Sequence, residues 1–214
     1  MTIAVAPSIV SAPMANLGEA IAELEAAQAD YIHFDIEDGN FVPEINLGIK
    51  VIAGLRKCTC LPFEVHLMMY NPEWLIPRLA EYGADMVSVH YEACAYPRRT
   101  LGLIKQYGLK AGLAFNPKTP VPQLDYLQPY LDYVIILTTE PEAGDCPILP
   151  AVLDKVRFGK PQNDSKLLWF VDGGVTSDNI SQVAQCGADV VVSGRGVFAD
   201  GKIRENIARL KRGV

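Results

Sequence analysis

The chain has no long apolar run, although half of its 214 residues are hydrophobic. A helix that spans a membrane needs about 20 consecutive apolar residues, whereas the apolar runs here have the length of strands. No membrane partner is therefore expected. Residues 1–7 also lack the basic segment and the extended apolar segment of a secretory signal, so a cytoplasmic protein is predicted.

Basic residues and cysteines are also scarce. The 19 Lys and Arg residues are outnumbered by 25 Asp and Glu residues, and the net charge is −6 at pH 7. Nucleic-acid binding usually needs a basic face, so no nucleic-acid partner is expected, although local groups can still hold a small anion. The five cysteines are scattered and odd in number, which is typical of reduced thiols in the cytoplasm rather than of a disulfide framework.

No linker, low-complexity tract or charge block divides the sequence. We therefore expect one domain over residues 1–214, which is long enough for a substantial α/β core. Short apolar runs alternate with amphipathic stretches from end to end. The predicted strands are 3–6, 31–34, 63–67, 86–90, 110–114, 133–137, 168–171 and 190–193. The predicted helices lie around 16–28, 48–57, 73–82, 98–107, 121–129, 149–158, 176–186 and 202–212.

Eight βα units in a chain of this length predict the α/β fold class, in the form of a (β/α)8 TIM barrel. An open, doubly wound sheet is the alternative. The barrel is favoured because polar residues end several strands that are spread along the chain. A doubly wound sheet usually gathers its ligand contacts around one switch point.

Four polar residues stand at the carboxyl ends of three predicted strands: His33, Asp35, His66 and Asp172. Alternate residues of a strand share a face, so His33 and Asp35 are expected on the same side. Any one of the four alone is most simply a satisfied polar residue or a helix cap. Together, at the end of a barrel where active sites form, two imidazoles and two carboxylates indicate a divalent metal site, tetrahedral or octahedral.

Such a site suits proton transfer next to a carbonyl group. A metal ion polarises the carbonyl and holds the developing enediolate oxygen. One carboxylate removes the proton from one face of the carbon, and the other returns a proton to the opposite face. A site of this kind is therefore expected to invert a stereocentre.

Glycines follow the last two predicted strands. Gly173 and Gly174 come after the seventh strand, and Gly194 and Arg195 come after the eighth. TIM barrels frequently bind phosphate at these two places through backbone N–H groups, and glycine lets the backbone approach the phosphate oxygens closely. A turn that needs glycine for its conformation is the alternative, but the two places together favour a phosphate site.

Six segments carry a resemblance to a known family. They read Ala6-Pro7-Ser8-Ile9-Val10-Ser11-Ala12, His33-Phe34-Asp35-Ile36-Glu37-Asp38-Gly39-Asn40-Phe41-Val42-Pro43, Val65-His66-Leu67-Met68, Val89-His90-Tyr91-Glu92, Asn116-Pro117-Lys118-Thr119-Pro120 and Val171-Asp172-Gly173-Gly174. With these segments in this order, the chain resembles the ribulose-phosphate 3-epimerase family over nearly its whole length.

The resemblance implies a metal-dependent isomerase that epimerises C3 of a ketose phosphate: ribulose 5-phosphate and xylulose 5-phosphate, or a related sugar phosphate. It implies that the quartet binds a divalent ion (zinc, iron, manganese or cobalt), with Asp35 and Asp172 as the acid/base pair. The residues implied to contact the substrate are Ser8, His66, Gly144, Gly173, Gly174, Gly194 and Arg195. His90 and Glu92 lie in a matched segment and are expected to support the site. A homo-oligomer is also implied.

The segment after the sixth strand departs from the family. Members usually carry a Pro-Gly-Phe-Gly-Gly-Gln loop that closes over the substrate and helps to bind its phosphate. Residues 139–147 keep only Pro141 and Gly144 of that loop. Glu142 and Asp145 add negative charge where a phosphate would be expected, which costs binding unless they are paired or point away.

Three single positions depart as well. The family usually has methionine at the positions of Glu37 and Leu137, and a small residue at the position of Arg195. The Arg195 side chain could bind phosphate or pair with Asp145. The acid/base end therefore looks intact while the substrate end looks altered, which favours a divergent epimerase for another sugar phosphate. A non-catalytic sugar-phosphate-binding paralogue is the alternative. A Schiff-base aldolase is disfavoured because Lys110 starts its strand rather than ending it.

Overall fold

The computed structural model describes residues 3–141 and 146–213. Its strands are β1 Ala4–Pro7, β2 Ile32–Glu37, β3 Phe63–Met68, β4 Met86–His90, β5 Lys110–Phe115, β6 Tyr133–Leu137, β7 Leu168–Asp172 and β8 Val190–Ser193. They form one parallel sheet in the order β1-β8-β7-β6-β5-β4-β3-β2. A parallel bridge between Ser8 and His33 joins the two ends of the sheet. The strands therefore form a nearly closed barrel, and the TIM-barrel prediction is confirmed.

The strands read as apolar runs because both of their faces are covered. β6, for example, is buried at every position. Its outward-facing Val134 belongs to the main core together with residues of the surrounding helices, whereas its inward-facing Ile135 packs with Phe170 inside the barrel. Parallel strands of this kind are hydrophobic without alternation, which is why the predicted strands agree with the observed ones to within three residues at each end.

The helices surround this barrel. They are α1 Leu17–Ala26, α2 Lys50–Leu55, α3 Ile76–Glu81, α4 Pro97–Gln106, α5 Asp154–Gly159, α6 Ile180–Gln185, α7 Arg195–Phe198 and α8 Ile203–Arg212. The short α7 was not predicted. Within the described ranges, no helix has the length and apolar character needed to cross a membrane.

The helix predicted at 121–129 is wrong. Only a single 3-10 turn, Asp125–Leu127, forms there. Pro122 and Pro129 explain the difference, because proline lacks the N–H that a helix needs and disfavours the helical conformation of the residue before it. The apolar spacing between the two prolines is therefore used by a turn that packs Leu127 into the core.

The same aspartate turn occurs four times at the amino-terminal rim of the barrel. An aspartate precedes each even-numbered strand, and its carboxylate accepts a hydrogen bond of 2.7–2.8 Å from a backbone N–H at the start of the odd-numbered strand before it. The donor–acceptor pairs are Val5–Asp30, Phe63–Asp85, Ala111–Asp132 and Trp169–Asp189. Each of these aspartates also pairs with a basic side chain, in turn Lys211, Arg56, Lys105 and Lys160. The repeated turn ties adjacent strands together and so supports their register, which decides which side chains meet at the other end of the barrel.

Candidate metal centre and active site

The strand register brings the four predicted metal ligands together at the carboxyl end of the barrel. Asp35 lies opposite His66 in the pairing of β2 with β3, and Asp172 is the last residue of β7. The Nε2 atom of His33 lies 3.0 Å from Asp35 Oδ1 and 3.7 Å from Asp172 Oδ2. The Nδ1 atom of His66 lies 3.5 Å and 3.6 Å from the same two oxygens. One ligand atom of each residue lies within 4.8 Å of the others.

These separations suit a single divalent ion. Four nitrogen and oxygen ligands around tetrahedral zinc lie about 3.3–3.6 Å from one another. The Nδ1 atom of His66 is buried and has no hydrogen-bond partner in the described chain, as expected of an atom that coordinates a metal. The quartet therefore forms a group that could hold a metal ion, and its ligand types leave zinc, iron, manganese and cobalt open.

The charges at the site favour a cation there. Burial alone would lower the pKa of His66, but the facing carboxylates of Asp172 and Asp35 raise it to about 9. Burial would also lower the pKa of His33, yet Asp35 and Glu64 raise it well above its usual range. Burial would raise the pKa of Asp35, but His33 and His66 hold it far below its usual value. Protons on the two imidazoles thus supply the positive charge that a divalent ion would otherwise bring.

A buried carboxylate that the sequence did not reveal supports His33 from inside the barrel. Glu64 Oε2 lies 2.6 Å from His33 Nδ1. Glu64 Oε1 accepts hydrogen bonds of 2.7 Å from the hydroxyls of Ser88 and Tyr133. A Cβ atom on Gly112 would lie only 2.3 Å from the Tyr133 ring, so this glycine makes room for the tyrosine. The one available signal was Glu64 itself, a charged residue two positions before His66 in an apolar strand.

His90 and Glu92, which the resemblance led us to expect near the site, lie behind His66. The Nε2 atoms of His66 and His90 lie 2.9 Å apart, and His90 Nδ1 lies 3.1 Å from Glu92 Oε2. Burial lowers the pKa of His90 to about 4. The pKa of Glu92 falls to about 2 because hydrogen bonds from His90, Thr119 and Asn116 outweigh the effect of its burial. His90 is therefore neutral and Glu92 ionised near neutral pH.

Ser8 contacts the quartet directly. Its hydroxyl donates a hydrogen bond of 2.6 Å to Asp35 Oδ2. Asp35 therefore presents one oxygen to the histidines and has the other held by Ser8. Both residues line a cleft of about 810 Å³ that opens at the carboxyl end of the barrel, and Asp172 lines the same cleft.

The predicted phosphate loops form another part of this cleft, whose lining includes Gly173, Gly174, Gly194 and Arg195. Gly173 and Gly174 have φ angles of +99° and +68°. A Cβ on Gly173 would lie 2.5 Å from Thr139 Oγ1, and one on Gly174 would lie 3.0 Å from the backbone nitrogen of Ile148. These glycines therefore allow the loop after β6 to pack closely, a structural requirement that exists whether or not they also contact phosphate.

Thr138 ties the loop after β6 to β7, and its backbone N–H donates a 2.7 Å hydrogen bond to the Asp172 backbone oxygen. The buried Thr138 Oγ1 donates to the backbone oxygens of Asp172, at 2.9 Å, and of Gly173. On the next loop, a Cβ on Gly194 would lie 2.3 Å from Ser11 Oγ. No sequence pattern indicated a role for Thr138, because a single threonine after an apolar strand is ordinary.

Among the departures from the family pattern, Glu37 is buried in β2 opposite Met68, and Leu137 is buried at the end of β6. The expected substrate contact Gly144 lies outside the described residues. Glu142 and Asp145 lie outside them too, and with them the suggested pairing of Asp145 with Arg195. Cys146 and Pro147, which follow, line the cleft.

The fold and the site together define a TIM-barrel enzyme class, with a His/Asp group for a metal ion at the carboxyl ends of the strands. The model of the ribulose-phosphate 3-epimerase family matches residues 4–198. The chain belongs to this family. The membership confirms both the family prediction and the prediction of an isomerase.

Curated relatives are similar to the chain over nearly its full length. A ribulose-phosphate 3-epimerase of Bacillus subtilis is 40% identical over 213 residues, which cover 98% of each chain. The ribulose-phosphate 3-epimerase of Escherichia coli K12 is 40% identical over 198 residues, which cover 91% of this chain and 88% of the relative. Two proteins of Cupriavidus necator with the same family name are also 40% identical.

Solved structures of lower identity support the fold alone. A 3-hexulose-6-phosphate synthase matches with a TM-score of 0.66 at 17% identity and covers all of both chains. A tryptophan synthase α-subunit of Pyrococcus furiosus matches with a TM-score of 0.68 at 16% identity, over 99% of this chain and 95% of the other. Both show that the chain has the TIM-barrel fold.

Proposed function

We propose that the protein epimerises a ketose phosphate at C3, using Asp35 and Asp172 as the acid/base pair. The substrate pair would be ribulose 5-phosphate and xylulose 5-phosphate or a related sugar phosphate. The observation that carries the proposal is that these two carboxylates, from β2 and β7, line one cleft and face the same two histidines. The names of the relatives at 40% identity support the same reaction.

The two carboxylates are suited to proton transfer from different directions. Their side chains are 12% and 17% exposed, so each reaches the cleft while most of it is shielded from water. Asp35 is held by the Ser8 hydroxyl, so its carboxylate is oriented for proton transfer. Asp172 is held through its backbone by Thr138. One carboxylate removes the C3 proton, and the other delivers a proton to the opposite face.

A divalent ion fits this arrangement. We infer that His33, Asp35, His66 and Asp172 would hold zinc, iron, manganese or cobalt. The bound ion would supply positive charge that polarises the substrate carbonyl and makes the neighbouring C3 proton more acidic. The chain's own contribution is to position two nitrogen and two oxygen ligands within one coordination sphere.

The phosphate of the substrate is assigned to the other part of the cleft. Gly173, Gly174 and Gly194 would bring backbone N–H groups to it, and Arg195 would supply a charge-assisted contact. Gly144 is included on the resemblance alone. We also infer a cytoplasmic homo-oligomer, for which the family resemblance and the reduced thiols of the sequence are the support.

Deuterium exchange tests the proposal. The protein, loaded in turn with zinc, iron(II), manganese or cobalt, is incubated in deuterated water with ribulose 5-phosphate, xylulose 5-phosphate and other ketose phosphates. We expect NMR to detect deuterium at C3 and formation of the 3-epimer with at least one of them. Asp172→Asn should slow both by about 10²–10⁴-fold because it removes one proton-transfer group. Asp125→Asn, which changes an exposed carboxylate outside the cleft, is the matched control.

A different result would point to the alternative function. Binding of a sugar phosphate without exchange at C3, for any metal, would overturn the enzyme proposal and indicate a binding paralogue. Exchange in Asp172→Asn at the parental rate would overturn the two-carboxylate mechanism while leaving an epimerase in place.

A further inference from the structure

The two histidines of the quartet present different ring nitrogens to the carboxylates. His33 faces Asp35 and Asp172 with Nε2, and its Nδ1 lies next to Glu64. His66 faces the same carboxylates with Nδ1, and its Nε2 points away from them toward His90. A neutral imidazole can coordinate a metal only through the nitrogen that lacks a proton. The two histidines therefore need different tautomers. The residue on the far side of each ring, Glu64 for His33 and His90 for His66, must stabilise the required tautomer.

Hydrogen-bond chemistry fixes the direction of the contacts beyond His66. Ionised Glu92 can only accept, so the proton of the 3.1 Å contact with His90 lies on His90 Nδ1. The neutral His90 ring then has a lone pair on Nε2. That lone pair accepts a hydrogen bond from the N–H at His66 Nε2 across the 2.9 Å contact between the two rings. His66 is left with its lone pair on Nδ1, the atom that faces Asp35 and Asp172.

Neighbouring groups hold the contacts beyond His66 in place. His66 and His90 are fully buried. Phe41 packs against the His90 ring, with ring centroids 4.6 Å apart. Glu92 Oε1 accepts a hydrogen bond of 2.9 Å from the backbone N–H of Asn116. Lys155 Nζ in turn donates 2.8 Å hydrogen bonds to the backbone oxygens of Asn116 and Pro117.

We propose that His90 and Glu92 are positioning residues that fix His66 as an Nδ1 ligand of the metal ion. The inference rests on the metal site of the proposed function, but it requires no turnover of any sugar. Loss of a hydrogen-bond partner behind a metal-bound histidine typically lowers metal affinity 10–100-fold. A loss of this size is expected when His90 can no longer accept the hydrogen bond from His66 Nε2.

The tautomers can be observed directly, because the chain contains only three histidines and all three belong to this site. In zinc-loaded protein labelled with ¹⁵N-histidine, we expect three distinct imidazoles by NMR. His66 should be zinc-bound through Nδ1 and protonated on Nε2. His33 should be zinc-bound through Nε2 and protonated on Nδ1. His90 should be metal-free, with its proton on Nδ1. A His66 that is zinc-bound through Nε2 would overturn the proposal.

Two substitutions separate positioning from packing. His90→Phe keeps an aromatic ring but removes the acceptor, and should weaken zinc binding 10–100-fold in a chelator competition titration. His90→Gln restores an acceptor oxygen and should recover part of that affinity. The visible spectrum of the cobalt(II)-loaded protein should change in the Phe variant and return toward the parental spectrum in the Gln variant. Tyr91→Phe, at the neighbouring position, is the control and should leave zinc affinity unchanged.

The outcomes distinguish this proposal from the proposed function. Parental zinc affinity and cobalt spectrum in folded His90→Phe would overturn the positioning role and leave the epimerase untouched. Equal loss in the Phe and Gln variants, with an unchanged His66 tautomer, would also overturn it in favour of simple packing. A parental protein that binds neither zinc nor cobalt would overturn the metal site and this inference together.

Discussion

The two parts of the cleft are built in different ways. At the quartet, the functional atoms belong to side chains on strands, and hydrogen bonds inside the barrel support them. At the predicted phosphate site, the functional groups belong to loops, and glycines with positive φ let those loops pack against one another. Strand side chains are fixed by register, whereas loops tolerate sequence change. This difference explains why the family pattern is intact at the quartet and altered at residues 139–147.

Removal of the metal from metal-loaded protein is the strongest test of the quartet. We expect a chelator to abolish epimerisation and re-addition of the ion to restore it. A ligand present at 100 times its Kd stabilises the folded state by about 2.7 kcal/mol, so the free energy of unfolding in urea should fall by about that amount. His66→Ala, which lacks one ligand, should show little dependence on the chelator. Unchanged activity and unfolding after complete metal removal would contradict a metal centre.

Packing inside the barrel is the next test. Gly112→Ala should destabilise the protein by about 3 kcal/mol, at the upper end of overpacking effects, because the added Cβ would lie 2.3 Å from the Tyr133 ring. It should also displace the tyrosine hydroxyl from Glu64 and weaken zinc binding. Gly54→Ala in α2, where no atom lies within 4 Å of the new Cβ, is the control and should be neutral or stabilising. Urea unfolding of both variants would reveal the contrast, and equal stability would contradict it.

A glycine-to-alanine substitution at the predicted phosphate site should reduce the free energy of unfolding less than Gly112→Ala does. Gly173→Ala should cost about 2 kcal/mol, because its φ of +99° disfavours a side chain and its Cβ would lie 2.5 Å from Thr139 Oγ1. We expect KM for the ketose phosphate to rise while zinc affinity stays the same. Gly108→Ala has a φ of +77° but open space around its Cβ, so it isolates the backbone effect. A loss of zinc affinity in Gly173→Ala would mean that the two parts are not separable.

Thiol labelling gives the smallest and most local effect. Cys146 is exposed and lines the cleft next to the predicted phosphate loops, whereas Cys58 and Cys60 are exposed elsewhere. A saturating ketose phosphate should slow alkylation of Cys146 several-fold and leave the other two thiols unaffected, as followed by peptide mass spectrometry. Equal protection of all three, or none at Cys146, would place the substrate elsewhere.

The features that could be predicted are those that depend on short stretches of the sequence. Buried parallel strands read as apolar runs, and the quartet lies toward the carboxyl ends of three of them, so the barrel and the grouping of these four side chains follow from the sequence. The helix predicted at 121–129 does not form because Pro122 and Pro129 oppose it despite the apolar spacing between them. Glu64, Ser88 and Tyr133 meet only because the closed barrel brings β3, β4 and β6 around one interior, and no local pattern contains that information. The double role of Gly173, as a predicted phosphate contact and as a packing requirement for Thr139, likewise appears only in three dimensions.

The aspartate turn that occurs four times gives the amino-terminal rim an approximate fourfold symmetry. Each quarter of the barrel there has two strands, one aspartate that joins them and one basic side chain that pairs with the aspartate. At the carboxyl end of the barrel the quarters differ: the first contributes Asp35, the second His66 and the last Asp172. The uniform rim sets where each strand begins, and the candidate site uses the ends at which the quarters differ.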